Sequence, residues 1–97
     1  MKGYWIVLGS DLADQASQQY YAKLWAPIAE KYGAKLASLE PGAVLMEAEQ
    51  TTRVVLVEFP SYRQAKACYA DPAYEEAKQY AMKASKRELL IVEGDLA

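Results

Sequence analysis

The chain has 97 residues and a mass of 10.8 kDa, so we predict a single domain over residues 1–97 and exclude a two-domain enzyme. Its 53% of hydrophobic and 25% of charged residues lie within the range of ordered globular proteins. Because the formal net charge is -2, the surface offers no general attraction for phosphate backbones or anionic lipid. We therefore expect neither nucleic acid nor a membrane as a partner.

Residue types that the chain lacks restrict its chemistry further. There is no histidine, which excludes an imidazole base, an imidazole metal ligand and haem held by histidine. The acidic residues show no calcium or two-metal spacing, so we expect no metal and no cofactor. Cys68 is the only cysteine and the first residues form no apolar run of signal-peptide length, so we expect a cytoplasmic protein.

The first two predicted elements are a strand and a long helix. Tyr4–Leu8 is a short aromatic and β-branched run between two glycines, which predicts a strand buried on both faces. From Asp14 to Tyr32 the apolar residues recur at steps of three and four, and Gly33 follows as a left-handed stop. Pro27 lies inside this helix, where its ring and its missing N–H predict a kink and not a break.

The middle of the chain has patterns typical of strands. Leu36–Leu39 and Ala43–Met46 are short strand-like segments that form either one bulged strand or two, because a Glu-Pro-Gly sequence interrupts them. A polar loop over Glu47–Thr52 leads to Arg53–Phe59, whose continuous apolar run predicts a central strand.

The last third of the chain predicts a broken helix and a final strand. Ser61 with Gln64 three residues later forms a capping box at the start of a helix. Asp71 and Pro72 start a second helical segment, with proline at the first helical position. Leu89–Glu93 is the predicted final strand.

The predicted element order is β-α-β-β-α-β, with the second helix broken in two, which is the order of a ferredoxin-like α+β fold. This fold has a four-stranded antiparallel sheet with the first and third strands in the centre and both helices on one face. The side chains of strand 53–59 are mostly apolar on both faces of the sheet. A second copy would cover the other face, so we expect a homodimer that forms a dimeric α+β barrel.

Five short segments, spread over the whole chain, form a characteristic set. They are Lys2-Gly3-Tyr4-Trp5, Lys31-Tyr32-Gly33, Val57-Glu58-Phe59-Pro60-Ser61, Tyr69 with Asp71-Pro72-Ala73-Tyr74, and Val92-Glu93-Gly94. In this order the segments resemble a family of small bacterial proteins, number 1330 among the domains of unknown function. The joint order is more specific than any single segment.

The resemblance implies the dimeric α+β barrel superfamily, in which two ferredoxin-like subunits pack sheet to sheet. That superfamily includes cofactor-independent monooxygenases, isomerases similar to muconolactone isomerase, haem-dependent chlorite dismutases and ligand-sensing domains, so the scaffold alone selects no function. This chain departs from the family pattern at Ala34, where a second glycine is usual, and in the last helix, where no arginine precedes Arg87. If that arginine holds an anion in relatives, the lysines of this helix do not replace it, because a lysine ammonium does not form the bidentate hydrogen bonds of a guanidinium.

Glu58 is the candidate catalytic residue. It follows four apolar residues in a predicted central strand, where desolvation would disfavour its ionised form and make it an acid or a base. The alternative is a carboxylate at a strand end that is solvated or paired with a lysine or arginine. Glu93 beside Gly94 has the same two interpretations.

The candidate ligand-binding residues are aromatic side chains that carry a polar group. The chain has eight tyrosines and two tryptophans against one phenylalanine, and walls of this kind suit a flat, partly polar ligand. We predict that four of them line a pocket between the sheet and the helices: Trp5, Tyr21, Trp25 and Tyr69. Packing in the core and in the dimer interface is the alternative explanation. Cys68 has no partner motif, which favours a small buried hydrophobe.

Two hypotheses of function follow from these residues. In the first, the pocket binds a small aromatic or planar organic molecule, and Glu58 supplies cofactor-independent proton-transfer or oxygenation chemistry. In the second, the protein is a non-enzymatic interaction or ligand-sensing module whose aromatic side chains only pack. A cavity of about 300 Å³ or more that reaches Glu58 would favour the first, and close aromatic packing with Glu58 in bulk water would favour the second.

Overall fold

The helices and strands follow the predicted order along the chain. A computed structural model describes residues 1–37 and 44–94. Within them lie β1 (Gly3–Gly9), α1 (Gln15–Tyr32), β2 (Lys35–Leu36), β3 (Arg53–Phe59), α2 (Tyr62–Ala70), α3 (Pro72–Ala84) and β4 (Arg87–Glu93). None of these helices is both long enough and apolar enough to cross a membrane.

The strands form one antiparallel sheet in the order β2-β3-β1-β4. β1 pairs over its whole length with β3, from Gly3 opposite Phe59 to Gly9 opposite Arg53. On its other side β1 pairs with β4 in the same register, residue for residue. The first strand and strand 53–59 therefore lie in the centre, and the predicted ferredoxin-like α+β fold is confirmed.

One face of the sheet packs against the helices. Residues directly opposite each other in a ladder share a face, so Trp5, Val57 and Ile91 lie in one row. This row belongs to the side that α1, α2 and α3 cover. The core on that side contains Trp5, Val7, Ile28, Val57, Phe59, Ala65, Cys68, Tyr74 and Ala77.

The predicted capping box at Ser61 is confirmed, and Asp14, where the predicted helical period begins, caps α1. The side chain of Asp14 accepts a hydrogen bond from the backbone N–H of Ser17 at 3.1 Å, and Ser61 accepts one from the backbone N–H of Gln64 at 3.1 Å. Gly33 ends α1 with a φ of 66°, a left-handed conformation that glycine adopts without a Cβ clash.

Element boundaries elsewhere differ little from the predictions. β1 includes both flanking glycines, and β4 begins at Arg87 instead of Leu89, because its pairing with β1 extends to Gly9. Pro27 lies within α1 and does not end it.

The predicted strand Ala43–Met46 is wrong where the structure describes it. Val44–Met46 form no strand, and Val44 and Met46 are 81% and 84% exposed. A strand tendency of this kind is realised only when a neighbouring strand and a packing surface are present, which this segment lacks. Of the predicted strand Leu36–Leu39, only Leu36 belongs to β2, and residues 38–43 lie outside the described part.

The face of the sheet away from the helices is also mostly apolar. Ile6, Leu56 and Leu90 form a row across the three long strands on this side. Ile6 and Leu56 are half-buried, and Leu90 is 43% exposed. The apolar character of both faces, predicted from the alternation in strand 53–59, is therefore present in the folded sheet.

Asp71 joins α2 to α3 and connects this junction to α1. Its carboxylate accepts hydrogen bonds from the Tyr32 hydroxyl at 2.5 Å, the Ala73 backbone N–H at 2.8 Å and the Lys31 ammonium at 2.9 Å. These hydrogen bonds, the one from Tyr32 above all, favour the ionised carboxylate and lower the pKa of Asp71 to about 2. Pro72 follows at the first position of α3, as predicted.

The Asp71→Asn variant should lose stability at neutral pH and should be less sensitive to acid than the wild type. The pKa of Asp71 falls from a usual 3.8 to about 2 on folding, so the ionised carboxylate stabilises the folded state. This stabilisation is present above about pH 4 and is lost as the pH falls to 2. Urea unfolding at pH 7 and pH 2 measures the difference, which should shrink at pH 2. Glu76→Gln on the exposed side of α3 is the control, and an equal gap for Asp71→Asn at both pH values would contradict the assignment.

Candidate functional site

Trp5 lies at the centre of an aromatic cluster on the helix-facing side of the sheet. Its indole N–H donates to the backbone carbonyl of Ala65 at 2.9 Å, which orients the ring against α2. Rings from α1, β3, α2 and α3 lie around it at distances typical of favourable aromatic pairs. Measured between ring centroids, they are Trp25 at 5.4 Å, Phe59 at 5.1 Å, Tyr69 at 5.8 Å and Tyr74 at 4.9 Å.

A cavity of about 280 Å³ lies beside this cluster, between α1 and the helix-facing side of the sheet. Trp5, Tyr21 and Trp25 form its aromatic wall, and the rings of Tyr21 and Trp25 are within 4° of parallel. Three of the four predicted ligand-binding residues therefore meet at one space. The floor on β1 and β3 is apolar and consists of Val7, Val55 and Val57.

Two arginines bring positive charge to the cavity. Arg53 of β3 and Arg87 of β4 both lie opposite Gly9 of β1, so the three residues form one row. Gly9 permits this arrangement, because a Cβ there would lie 2.6 Å from Nη2 of Arg53. The guanidinium of Arg53 lies over β1 and donates to the Ser10 carbonyl at 2.9 Å and to the Ser85 hydroxyl at 3.1 Å.

A chain of hydrogen bonds connects Arg87 to the aromatic wall. Nη2 of Arg87 donates to the hydroxyl of Tyr74 at 2.7 Å, and this hydroxyl lies 3.1 Å from that of Tyr21. Tyr74 is fully buried, and its burial raises its pKa above the usual value of 10, so the hydroxyl stays protonated. Either hydroxyl can donate in this second hydrogen bond, because the Tyr74 oxygen has two lone pairs and Arg87 occupies one of them.

Glu58 lies on the opposite face of the sheet from the cavity. It stands opposite Tyr4 in the ladder, whereas Trp5 and Val57 face the cavity. Its carboxylate forms an ion pair with the Lys2 ammonium at 2.7 Å, and its side chain is 26% exposed. The structure therefore does not bring the predicted catalytic residue to the predicted ligand-binding residues. Ion pairing is the alternative that the sequence left open, and the catalytic role stays a prediction.

Tyr69 and Cys68 lie behind the cavity wall. The ring of Tyr69 meets that of Trp5 at 79° and does not belong to the cavity lining. Cys68 is fully buried, and desolvation raises the pKa of its thiol to about 12, so the thiol is neutral at physiological pH. Its position agrees with the prediction of a small buried hydrophobe.

Sequence reasoning missed Arg53 and Arg87 in the cavity lining, and it missed the buried hydroxyl of Tyr74 that contacts Arg87. The period of two in β3 was a signal for Arg53, because it places this residue on the same face as Val57. No comparable signal marks Arg87, which precedes the predicted start of its strand. The burial of the Tyr74 hydroxyl depends on how α1 and α3 pack.

A second depression lies near the 45–51 loop and is larger and more open, with a volume of about 540 Å³. Its lining includes Leu8 and Glu88, which share the face of the sheet away from the helices. It also includes the loop carboxylates Glu47 and Glu49 and no aromatic side chain. The aromatic cavity is smaller and less open, and it is therefore the better candidate for binding an organic molecule.

The family of the chain follows from a comparison with family models. The model described as Domain of unknown function (DUF1330) matches residues 2–95, so the chain belongs to this family. The resemblance carried by the five segments is thereby confirmed. No curated protein that was compared shows significant similarity to the chain.

Solved structures with the same fold cover almost the whole chain. A protein of unknown function from Rhodopseudomonas palustris has a TM-score of 0.69 at 18% identity, with 99% of this chain and 84% of that chain covered. A candidate antibiotic biosynthesis monooxygenase from Nitrosomonas europaea has a TM-score of 0.57 at 15% identity, with 100% of both chains covered. A dimeric protein of unknown function with a ferredoxin-like fold from Bacteroides fragilis has a TM-score of 0.51 at 14% identity, with 96% of both chains covered. At these identities the similarity establishes the fold.

The Tyr74→Phe variant should lose about 1–3 kcal/mol of unfolding free energy, because it removes a buried hydroxyl that partners both Arg87 and Tyr21. Tyr80→Phe is the matched control, since the Tyr80 hydroxyl makes no hydrogen bond to a described residue. Urea unfolding measured by tryptophan fluorescence compares the two variants. Equal losses would show that the hydrogen-bond chain does not stabilise the fold.

Proposed function

We propose that the protein binds a small planar organic molecule in the cavity between α1 and the sheet. The observation that carries this proposal is an aromatic wall of Trp5, Tyr21 and Trp25 around a volume of about 280 Å³. Ligand sites in proteins start at roughly this size, about 300 Å³, and are lined mainly by apolar and aromatic side chains with a few polar groups. Flat rings next to an apolar floor favour a flat ligand.

The cavity supports binding more directly than it supports catalysis. Among the described residues that line it there is no carboxylate and no thiol, so none of them supplies a carboxylate or a thiolate as a general base. Glu58 lies on the other face of the sheet, so a role in proton transfer or oxygenation would need a separate site there. Binding is common to an enzyme and to a ligand-sensing module.

The solved structures support the proposal through the scaffold alone. The Nitrosomonas europaea neighbour is a candidate monooxygenase, and the same fold accommodates many unrelated functions. A cytoplasmic location and the absence of nucleic-acid partners stay predictions from composition and cysteine content.

Ligand binding should depend on Trp25. A thermal-shift screen against aromatic acids, quinones and lactones should find a compound that stabilises the wild type, by about 2.7 kcal/mol at 100 times its Kd. The Trp25→Ala variant should lose this shift, because it removes one wall of the cavity. Tyr20→Ala is the matched control, since Tyr20 lies on the same helix, packs against Tyr80 and does not line the cavity.

A second variant separates loss of the site from loss of the fold. Ala22 lines the cavity from α1, so Ala22→Phe should fill the space without removing an existing contact of the core. Circular dichroism checks that both variants are folded. A shift that persists in folded Trp25→Ala and in Ala22→Phe would reject the cavity as the binding site.

We also infer that the protein is a homodimer whose sheets pack face to face. The row of Ile6, Leu56 and Leu90 leaves apolar surface on the side without helices. The Bacteroides fragilis neighbour is described as dimeric.

The Leu90→Glu variant should dissociate this dimer, because it places a charge in the apolar row. Light scattering after size exclusion should give the wild type twice the 10.8 kDa chain mass and the variant the chain mass. Met82→Glu is the control, since Met82 is exposed on α3 and should tolerate the charge. A wild type of 10.8 kDa, or equal dissociation of both variants, would contradict the sheet-to-sheet dimer.

A further inference from the structure

We infer that the ligand of the cavity is an organic anion whose carboxylate binds between Arg53 and Arg87. The inference rests on the proposed function and names the chemical class of its ligand. It depends on three polar residues of the cavity lining, Arg53, Arg87 and Tyr21. The described lining also includes Gln18, whose neutral amide both donates and accepts.

Two positive charges face a small and mostly apolar space. A guanidinium does not lose its proton in proteins, so both side chains stay charged. No carboxylate of the described residues forms an ion pair with Arg53 or Arg87. Glu88 follows Arg87 directly, but it lies on the other face of the sheet, opposite Leu8. An anion in the cavity would provide a counter-charge where screening by water is reduced.

The strand register brings the two guanidiniums to the same end of the cavity. Adjacent strands are about 4.8 Å apart, so the Cα atoms of Arg53 and Arg87 on either side of β1 are separated by about 10 Å. Arg53 crosses over Gly9 and reaches Ser85, just before the start of β4. The guanidinium of Arg87 is 5.5 Å from the centre of the Tyr21 ring.

The two guanidiniums are the charged hydrogen-bond donors of the cavity. Each has five N–H groups, of which Arg53 uses two and Arg87 uses one in hydrogen bonds to described residues. The Tyr21 hydroxyl, which lines the cavity as well, lies 3.1 Å from that of Tyr74, and either can donate in that pair. A carboxylate accepts at both oxygens, and its hydrogen bonds to guanidinium are shorter and stronger than neutral ones.

The rest of the lining requires the anion to be organic. Tyr21 and Trp25 stand above a floor of three valines, next to the charged end. An inorganic ion would contact only the arginines and would leave the aromatic wall in water. A flat carboxylic acid of aromatic type fills both parts of the cavity.

A matched pair of probes tests the charge of the ligand. 2-Naphthoate and 2-naphthamide have nearly the same shape and differ in the negative charge. Calorimetric titration of the wild type should give 2-naphthoate at least about a tenfold lower Kd than the amide, since one additional charged hydrogen bond supplies about this factor. Inorganic phosphate at the same concentration should not displace 2-naphthoate.

Variants assign this preference to the two arginines. Arg87→Gln should reduce the preference for 2-naphthoate to within about threefold, because a neutral amide does not supply the charge of the guanidinium. Arg53→Gln is the second variant and should act in the same direction, which keeps the test valid if one variant does not fold. Glu58→Gln also changes one charge, but on the other face of the sheet, and should keep the full preference.

The outcomes separate this inference from the proposed function. Equal Kd values for the two probes in the wild type would overturn the anion and leave the binding of planar molecules in place. An unchanged preference in folded Arg87→Gln and Arg53→Gln would overturn the assignment to these residues. Displacement of 2-naphthoate by phosphate would show a site for inorganic ions. Binding of neither probe would overturn both the inference and the proposed function.

Discussion

The burial of the Trp5 side chain is the constraint on which the rest of the structure depends. Its indole N–H is removed from water and needs an acceptor, which α2 supplies through the carbonyl of Ala65. Its ring packs against side chains of three helices and of β3. A shift of β1 by one residue would move Trp5 to the other face and remove all these contacts together. The register of the central strand and the positions of the helices are therefore coupled.

The cavity is a consequence of how β1 changes along its length. At Trp5 the strand carries a large side chain that fills the space below the helices, whereas at Gly9 it carries none. The space left at Gly9 admits the guanidinium of Arg53 from β3. Arg87 stands opposite Gly9 on β4, the other neighbour of β1. β1 thus contributes Trp5 to the aromatic wall and, at Gly9, the space that the guanidinium of Arg53 occupies.

Both arginines of the cavity come from strands, and α3 contains none. Their positions follow from backbone pairing, which is harder to change than the rotamer of a helical surface residue. The chain through Tyr74 adds a further constraint, since it holds Arg87 by a fully buried hydroxyl. Strand pairing and this hydrogen bond therefore fix the positions of the two arginines at the cavity.

Local patterns were sufficient for most of the fold. Hydrophobic period, the capping box at Ser61 and the stop at Gly33 are properties of a few neighbouring residues, and the sequence therefore predicted the element order and its ferredoxin-like class correctly. The segment after Pro41 was predicted less well, because a strand there needs a partner strand that local sequence does not describe.

The candidate site was only partly accessible from the sequence, for a physical reason. An excess of tyrosine and tryptophan drew attention to Trp5, Tyr21 and Trp25, which line the cavity, since composition reveals which side chains exist. Which of them leave a space, and which charges face it, depends on packing between residues far apart in the chain. Arg53 and Arg87 come into one row because both stand opposite Gly9 in the ladders of β1. Glu58 is separated from them because strand alternation turns its side chain to the opposite face of the sheet. Sequence alone established the fold, and long-range pairing decided the chemistry of the cavity.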